Sequence, residues 1–486
     1  MKTKLETPVL GGSLRALLLV CGACASPAPR PALEPLPAAD LATGLDAAPE
    51  LPRPRVEVSP PSYAIEHVPA AAGHPGVVRV TIPSAPTTVM LLAFPVLGTK
   101  STLGLEALTI DLARRRLIRA LPVGADGFGR ANGTMLRLKA VGLPSKAAAM
   151  LPAFGKALER KKAFGDFKKD RFDFLQSLVA SSGVSRTLAR MGRYGREHPW
   201  AQGPAARVNA LSKVKTKVVE RAWSQLLDLR RATFLILGPP EGLPSVGEIL
   251  AGLPRSDPSQ PLPKRQPPPP VPPLEEEKGN QFHALWFNND QVLMQALHVG
   301  PDLSHDDYPA FLLLEEAIGG FTSEGNRRLR HQGGASYGVG ASMRTLPGAS
   351  ELVYGGWIDA QRGMQLFDTH QEVVERVRDH GLTEEEIRSA RAQVLGSWAR
   401  RMDEPEEVAN LLAWCVLTGR SPSADDCLAP PDVSVSSAKT QEVARRYLHR
   451  DRVHWLVYGE MDHIHNPLRF KGVINFYKIE RLDPPD

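Results

Sequence analysis

The chain has 486 residues, 42% of them hydrophobic and 23% charged, a globular composition that excludes wholesale disorder and is too long for one ordinary domain core. Its 59 basic and 53 acidic residues leave a net charge of +6, too balanced over this length to argue for nucleic acid. Of the 44 prolines, ten fall between Pro27 and Pro61 and ten between Pro254 and Pro273, so proline marks tethers rather than a fibrous fold.

Residues 1–24 read as an export signal. Lys2, Lys4 and Arg15 precede the apolar run 16–20, and Gly22-Ala23-Cys24-Ala25-Ser26 supplies a small-residue processing site. The run is too short to cross a bilayer as a helix. A cysteine directly after Gly-Ala resembles a lipobox with Cys24 as the lipidated residue, although Cys21 stands where leucine is usual. Ser26 in place of the aspartate that favours inner-membrane retention points to the periplasmic side of the outer membrane. Ordinary cleavage, giving a soluble periplasmic protein, is the alternative. The Pro/Ala-rich stretch 25–72 then reads as a tether.

After the tether the pattern repeats. Residues 77–82 and 88–97 read as strands, 103–117 as a helix, and Phe234-Leu235-Ile236-Leu237-Gly238 as a closing strand. The Pro-rich stretch 254–278 separates this half from the next. There 282–287 and 292–299 read as strands and 308–318 as a helix, with Asp306 and Asp307 as N-cap candidates and Gly319-Gly320 past its end. Alternation at Tyr337, Val339, Ala341 and Met343, a turn at Leu346-Pro347-Gly348 and a return over 352–358 predict a hairpin. Helices follow over 359–380 and from the capping box Thr383-x-x-Glu386, before His454-Trp455-Leu456-Val457-Tyr458-Gly459 closes the half. Gly238 and Gly459 are 221 residues apart, about one domain, which predicts a tandem duplication of an α+β unit.

Common catalytic signatures are absent from the sequence: no H-x-x-E-H or H-E-x-x-H, no G-x-S-x-G, no Walker loop, and no C-x-x-C after the signal. His463 and His465, with Asp462 beside them, read as a solvated pair, and His298 and His305 as turn-flanking residues. The basic runs 114–116 and 156–171 read as solvated helix faces. Cys415 and Cys427, twelve residues apart, have two open readings: a disulfide in an exported chain, or a buried core thiol at Cys415.

The informative stretch is Leu329-Arg330-His331-Gln332-Gly333-Gly334-Ala335-Ser336-Tyr337-Gly338-Val339. It resembles the second-type domain of the pitrilysin/insulinase metallopeptidases, the inverted zincins that include mitochondrial processing peptidase. Those domains carry a Leu-Arg helix end, a glycine-containing turn and a tyrosine seven residues after the arginine, a spacing that Arg330 and Tyr337 match. The resemblance covers most of residues 280–460, and departs from the family at Ser323-Glu324-Gly325, where Ser-Arg-Leu is usual.

The resemblance implies two tandem homologous pitrilysin-type α+β domains, sheet packed on helices, arranged as a clamshell. It places an N-terminal peptidase-like domain at 73–253 and a C-terminal one, with the Arg/Tyr pair, at 279–486. In active relatives a Gly-Leu opens the helix that bears the zinc motif. Here Gly104-Leu105 is followed by Ala107, Ile110 and Asp111 where histidine, glutamate and histidine belong. The third ligand, a later glutamate, is also missing: no acidic residue occurs from Phe174 to Arg196. The implied function is a non-catalytic, peptide-binding subunit that binds no cofactor itself and lends Arg330 and Tyr337 to a zinc-bearing homologous partner, with an extended peptide as substrate. A structural scaffold and a peptidase with unrecognised ligands are the alternatives.

Overall fold

The computed structural model describes residues 63–476 apart from 97–103, 133–134, 160–163, 181–183, 196–197, 263–270, 272–278, 287–289, 321–322, 333, 335, 337, 347 and 420–423. The export signal, Cys24, Tyr337, nearly all of the tether and most of the Pro-rich linker therefore lie outside the described residues.

The first half runs β1 (Ala64–Val68), β2 (Gly76–Thr81), β3 (Thr88–Pro95), α1 (Leu105–Ala120), β4 (Ala125–Ala131), β5 (Met135–Gly142), α2 (Ala147–Leu158), α3 (Phe167–Ala180), α4 (Val184–Tyr194), α5 (Pro204–Ser212), α6 (Thr216–Leu226), β6 (Thr233–Gly238) and α7 (Val246–Gly252). The second runs β7 (Asn280–Trp286), β8 (Gln291–Gly300), α8 (Tyr308–Gly319), β9 (Gly340–Leu346), β10 (Ala349–Asp359), α9 (Gly363–His380), α10 (Glu384–Met402), α11 (Pro405–Thr418), α12 (Ser437–Tyr447), β11 (His454–Gly459) and β12 (Gly472–Phe476).

The sheet orders are β1-β2-β6-β3-β5-β4 and β12-β7-β11-β8-β10-β9. Five strands correspond one to one, with the same parallel pair (β2 with β6, β7 with β11) and the same antiparallel hairpin at the edge. The sixth strand differs: β1 runs antiparallel to β2, whereas β12 runs parallel to β7. The duplicated α+β architecture is thus present in the backbone.

The central strands of both sheets are buried on both faces. In β3, Met90, Leu92 and Phe94 point into the core under α1 and α2, while Val89, Leu91 and Ala93 point the other way and are equally buried. Val408, Ala409, Leu412 and Ala413 of α11 cover that second face. Reciprocally, Leu188 and Ala189 of α4 cover Leu285, Leu297 and Leu456 on the second sheet. Each is the third helix after its half's edge hairpin, so the halves exchange equivalent helices. The exchanged helices cover sheet surface that would otherwise expose apolar side chains. At this seam the guanidinium of Arg190 grips the carboxylate of Glu351 on β10, with Nε 2.9 and 3.0 Å from its two oxygens. Glu351 is fully buried.

Local differences from the sequence reading have simple causes. The fold begins before residue 73: β1 lies inside the expected tether, where Ile65 alternates with polar neighbours and pairs with Val80. The Pro-rich stretch starts as part of the first half, since Ser256 donates to the Gly73 carbonyl and its hydroxyl accepts from the Leu229 amide. Asp307 stands at the α8 N-cap position, but its side chain does not cap the helix. It is drawn to Lys439, Arg446 and Tyr447. The capping box of Thr383 and Glu386 is present. Cys415, buried in α11, is bridged to Cys427 with a Cα–Cα distance of 6.1 Å. Among the described residues no helix is long and apolar enough to cross a membrane.

His298 is not a turn residue in solvent. Its Nε2 lies 3.0 Å from that of buried His370, and His283 makes a similar 3.0 Å contact with His454. Burial pushes His283 and His370 down to about 3, His449 to about 4, and His298 well below its usual range. These rings stay neutral in the native state, whereas the unfolded chain protonates them below about pH 6.5. Burial also raises Glu315 to about 7, which acts in the opposite sense and offsets part of the effect. Stability is therefore expected to be retained above pH 7 and to fall between pH 6.5 and 5, each histidine contributing up to ~1.4 kcal/mol per pH unit. Urea midpoints across that window check this, and a flat profile contradicts it.

Replacing Arg190 with alanine is expected to cost about 3–5 kcal/mol, since it strands a buried carboxylate. The double replacement Arg190→Met with Glu351→Leu should recover most of that loss in the same urea titration.

Candidate functional site

The helix that would bear a zinc motif is α1. It starts after Gly104, which sits at φ +73° as the helix's N-cap. Ala107 packs half-buried against the first core, and Ile110 is buried within it. Asp111 is the sole carboxylate at the three positions, and it is already engaged. Arg114 donates to it through Nε at 2.9 Å and Nη2 at 2.6 Å, and Arg115 through Nε at 2.7 Å. These are the i+3 and i+4 partners that a helical carboxylate ordinarily meets.

The helix also lies directly on the edge strand. A Cβ on Gly129 of β4 would come within 2.6 Å of the Arg114 Cβ and 3.2 Å of the Ile110 carbonyl oxygen, and one on Gly127 within 2.8 Å of Ile118. Glycine is required there for close approach. The expected third-ligand helix, α4, turns Leu188 and Ala189 onto the second sheet and spends Arg190 on Glu351. A tetrahedral zinc site needs three protein ligands, and these residues do not fit one. Among the described residues, no three of histidine, cysteine, aspartate and glutamate cluster as metal ligands. His465 instead sets its ring 5.3 Å from Phe476.

The basic run 114–116 is engaged rather than merely solvated. Arg115 also reaches Asp173 on α3, and Arg116 donates to the carbonyls of Lys156 and Glu159.

In the second half, α8 is followed by a short turn capped by Ser323, whose hydroxyl accepts from the Asn326 amide. A single widened π-helical stretch, Arg327–Gln332, comes next, a form that recurs at functional sites. Arg328 is paired with Glu324 and Glu372. Arg330 is half-buried, and its carbonyl accepts from the Gly334 amide at 3.3 Å. Ser336 pairs with Ile358 across an isolated bridge and donates through its hydroxyl to the Trp357 carbonyl. A Cβ on Gly356 would lie 2.4 Å from the Gly338 carbonyl oxygen, so the chain crosses closely over β10. Tyr337 itself is outside the described residues, but Ser336 and Gly338 on either side of it are held against that strand.

The arrangement thus has β4 and β9 as edge strands, a helix α1 whose described side chains do not supply zinc ligands, and an arginine held on a π-helical turn near the second edge hairpin. The fold and this site define a duplicated α+β protein whose metal-helix positions do not supply a set of zinc ligands.

Residues 215–394 match the family model described as the peptidase M16 inactive domain. This match and the fold support a pitrilysin-type (M16) relative that lacks the zinc motif. Its fold is similar to a peptidase M16 inactive domain from Pseudomonas fluorescens, at TM-score 0.63 and 15% identity over 82% of this chain and 98% of that one. It is similar also to a protease from Helicobacter pylori, at 0.64 and 12% over 83% and 100%. A chain of complex III2 from Candida albicans, with Inz-5 bound, aligns at 0.66 and 14% over 84% and 99%. No curated protein matches the chain by sequence.

Sequence reasoning did not anticipate Glu351, the buried histidine pairs, or the arginines of the β4–β5 hairpin. The last had a legible signal: Phe128 and Arg130 alternate with glycine on one strand, and Arg137 and Lys139 with leucine on the next.

The purified chain, dialysed without chelator, is expected to hold less than about one-tenth of a zinc per molecule, because a structural or catalytic site would need ligands these positions lack. Elemental analysis checks this. One tightly bound zinc per chain, lost on replacing Asp111, is the contrary outcome.

Proposed function

We propose that the chain is the non-catalytic, peptide-binding subunit of a pitrilysin-type zinc peptidase, lending Arg330 and Tyr337 to the site of a zinc-bearing homologous partner. The observation that carries this reading is the contrast between the halves. The α1 positions are packed shut around Ile110 and Asp111, while Arg330 remains on a shaped turn at the rim of the second sheet. An arginine fork is permanently charged and polarises a peptide carbonyl, and a phenol donates beside it. The substrate is an extended peptide, taken up by hydrogen bonding to a free sheet edge. Zinc belongs to the partner. Export, and attachment to the periplasmic side of the outer membrane through Cys24, would hold the pair at one surface.

The likeness to a chain of complex III2 favours a second reading, a structural scaffold without peptide chemistry.

The mixed complex separates the two. Arg330→Ala and Tyr337→Phe are expected to leave pairing intact and to lower the partner's peptidase rate on the order of 100-fold, the usual loss for one preorganised donor to a developing oxyanion. A rise confined to KM would mark a binding role. The exposed Arg388, replaced by alanine, should change little. Full activity with Arg330 and Tyr337 both replaced favours the scaffold.

A further inference from the structure

Between the β4–β5 hairpin and α11 the molecule holds a cavity of about 710 Å³, lined by four consecutive residues of β4 (Gly127, Phe128, Gly129 and Arg130) and by charged groups from both halves. The volume is in the range of ligand sites. Arg114 approaches from α1, Arg137 and Lys139 from β5, and Glu407 and Asn410 from α11.

The charge arrangement has a cost that packing does not explain. Arg130 and Arg137 are direct cross-strand partners, and like charges directly opposite each other destabilise a sheet. Lys139, one pair along, faces Phe128 and sets its ammonium 4.7 Å above that ring. Lys139 is paired with Glu406, Arg114 with Asp111, and Arg137 donates to Asn410. Among the described residues Arg130 makes no ion pair; Asp126 shares its face at the start of the strand.

Further arginines extend the basic region across the seam. Arg344 of the other edge strand, β9, feels Arg130, Arg190 and Arg207 together. Burial and these neighbours hold Arg137, Arg207 and Arg344 below the usual arginine range. Glu407 acts on Arg137, Glu351 on Arg344 and Glu106 on Arg207.

We propose that this cavity binds an acidic segment of an extended peptide lying along β4, with Arg130, Arg137 and Arg114 receiving its carboxylates. The proposal rests on the peptide-binding reading above and names the substrate class. A strand edge supplies backbone donors and acceptors without regard to sequence, whereas the arginine forks supply selection, since guanidinium groups bind carboxylates in a bidentate manner. Arg130, which makes no ion pair among the described residues, then gains a counter-charge from the ligand.

The test uses the full chain and two fluorescein-labelled decapeptides of one sequence, the first rich in glutamate and the second with glutamine in its place, read by anisotropy. The glutamate peptide is expected to bind at least 10-fold more tightly, with an affinity that falls as salt rises. Arg130→Glu and Arg137→Gln should each reduce its binding at least 10-fold and leave the glutamine peptide unchanged. Arg130→Gln, which removes the like-charge pair, should keep or raise the thermal midpoint while binding is lost, so a folding defect cannot account for the result. Equal binding of both peptides, unaffected by Arg130→Glu, overturns the acidic selection and leaves the strand-edge reading standing. Binding of neither peptide removes both. Binding of pyrophosphate alone, dependent on Arg130, assigns the cavity to free anions and overturns the peptide. Aggregation of Arg130→Glu with unchanged peptide binding makes Arg130 a guard against edge pairing, which also overturns the proposal.

Discussion

The structure depends on a constraint set by its strands: the central strands of both sheets are buried on both faces. A sheet of this kind needs cover on two sides, and the helices of each half lie mainly on one. The missing cover comes from the other half, through α4 and α11, so that Leu412 closes the first sheet and Leu188 the second. The Arg190–Glu351 pair fixes this exchange with charge in a place where apolar contact alone would tolerate sliding. The seam is thereby a core rather than a contact between finished domains.

That constraint bears on the site. The helix that would have to offer a third metal ligand is committed along its length to the opposite sheet, and Arg190 occupies the central part of it. On α1, Asp111 has become the hub of a local arginine cluster, and the glycines of β4 let the helix sit against the edge strand. At these positions packing and ion pairs stand where zinc ligands would be, and β4 remains the edge strand of its sheet. The proposed peptide binding and a zinc site would use different atoms, the backbone of β4 for the first and side chains of α1 for the second.

Much of this was legible in the sequence, and the part that was not follows a rule. The strand runs, the Thr383 capping box and the repeat from Gly238 to Gly459 are local patterns, and they appear where alternation and capping put them. The family resemblance around Arg330 rested on seven-residue spacing, also local. The exchange was not legible, since Leu411-Leu412-Ala413-Trp414 announces a buried helix without saying which sheet it meets. Asp307 looked like a cap and became an ion-pair partner of α12, a choice made by Lys439 and Arg446 more than 130 residues away. The cavity shows the same division: alternation exposes Arg130 and Arg137 on one face, but only the fold brings Glu407 and Asn410 opposite them.

The exchange of α4 and α11 also orders events in time. The first sheet gains its last strand at residue 238, yet its outer face stays bare until residues 405–418 have been made. The second sheet, whose β11 ends at Gly459, is needed before α4 has anywhere to settle. During synthesis the N-terminal half can assemble the core under α1 and α2 but leaves the other face of its sheet bare, and the closing contacts span more than three hundred residues, a topology that folds slowly. For the exported chain proposed above, this delay is useful: a polypeptide threaded through a membrane must arrive without finished domains, and this one cannot finish the first until nearly all of the second has followed it.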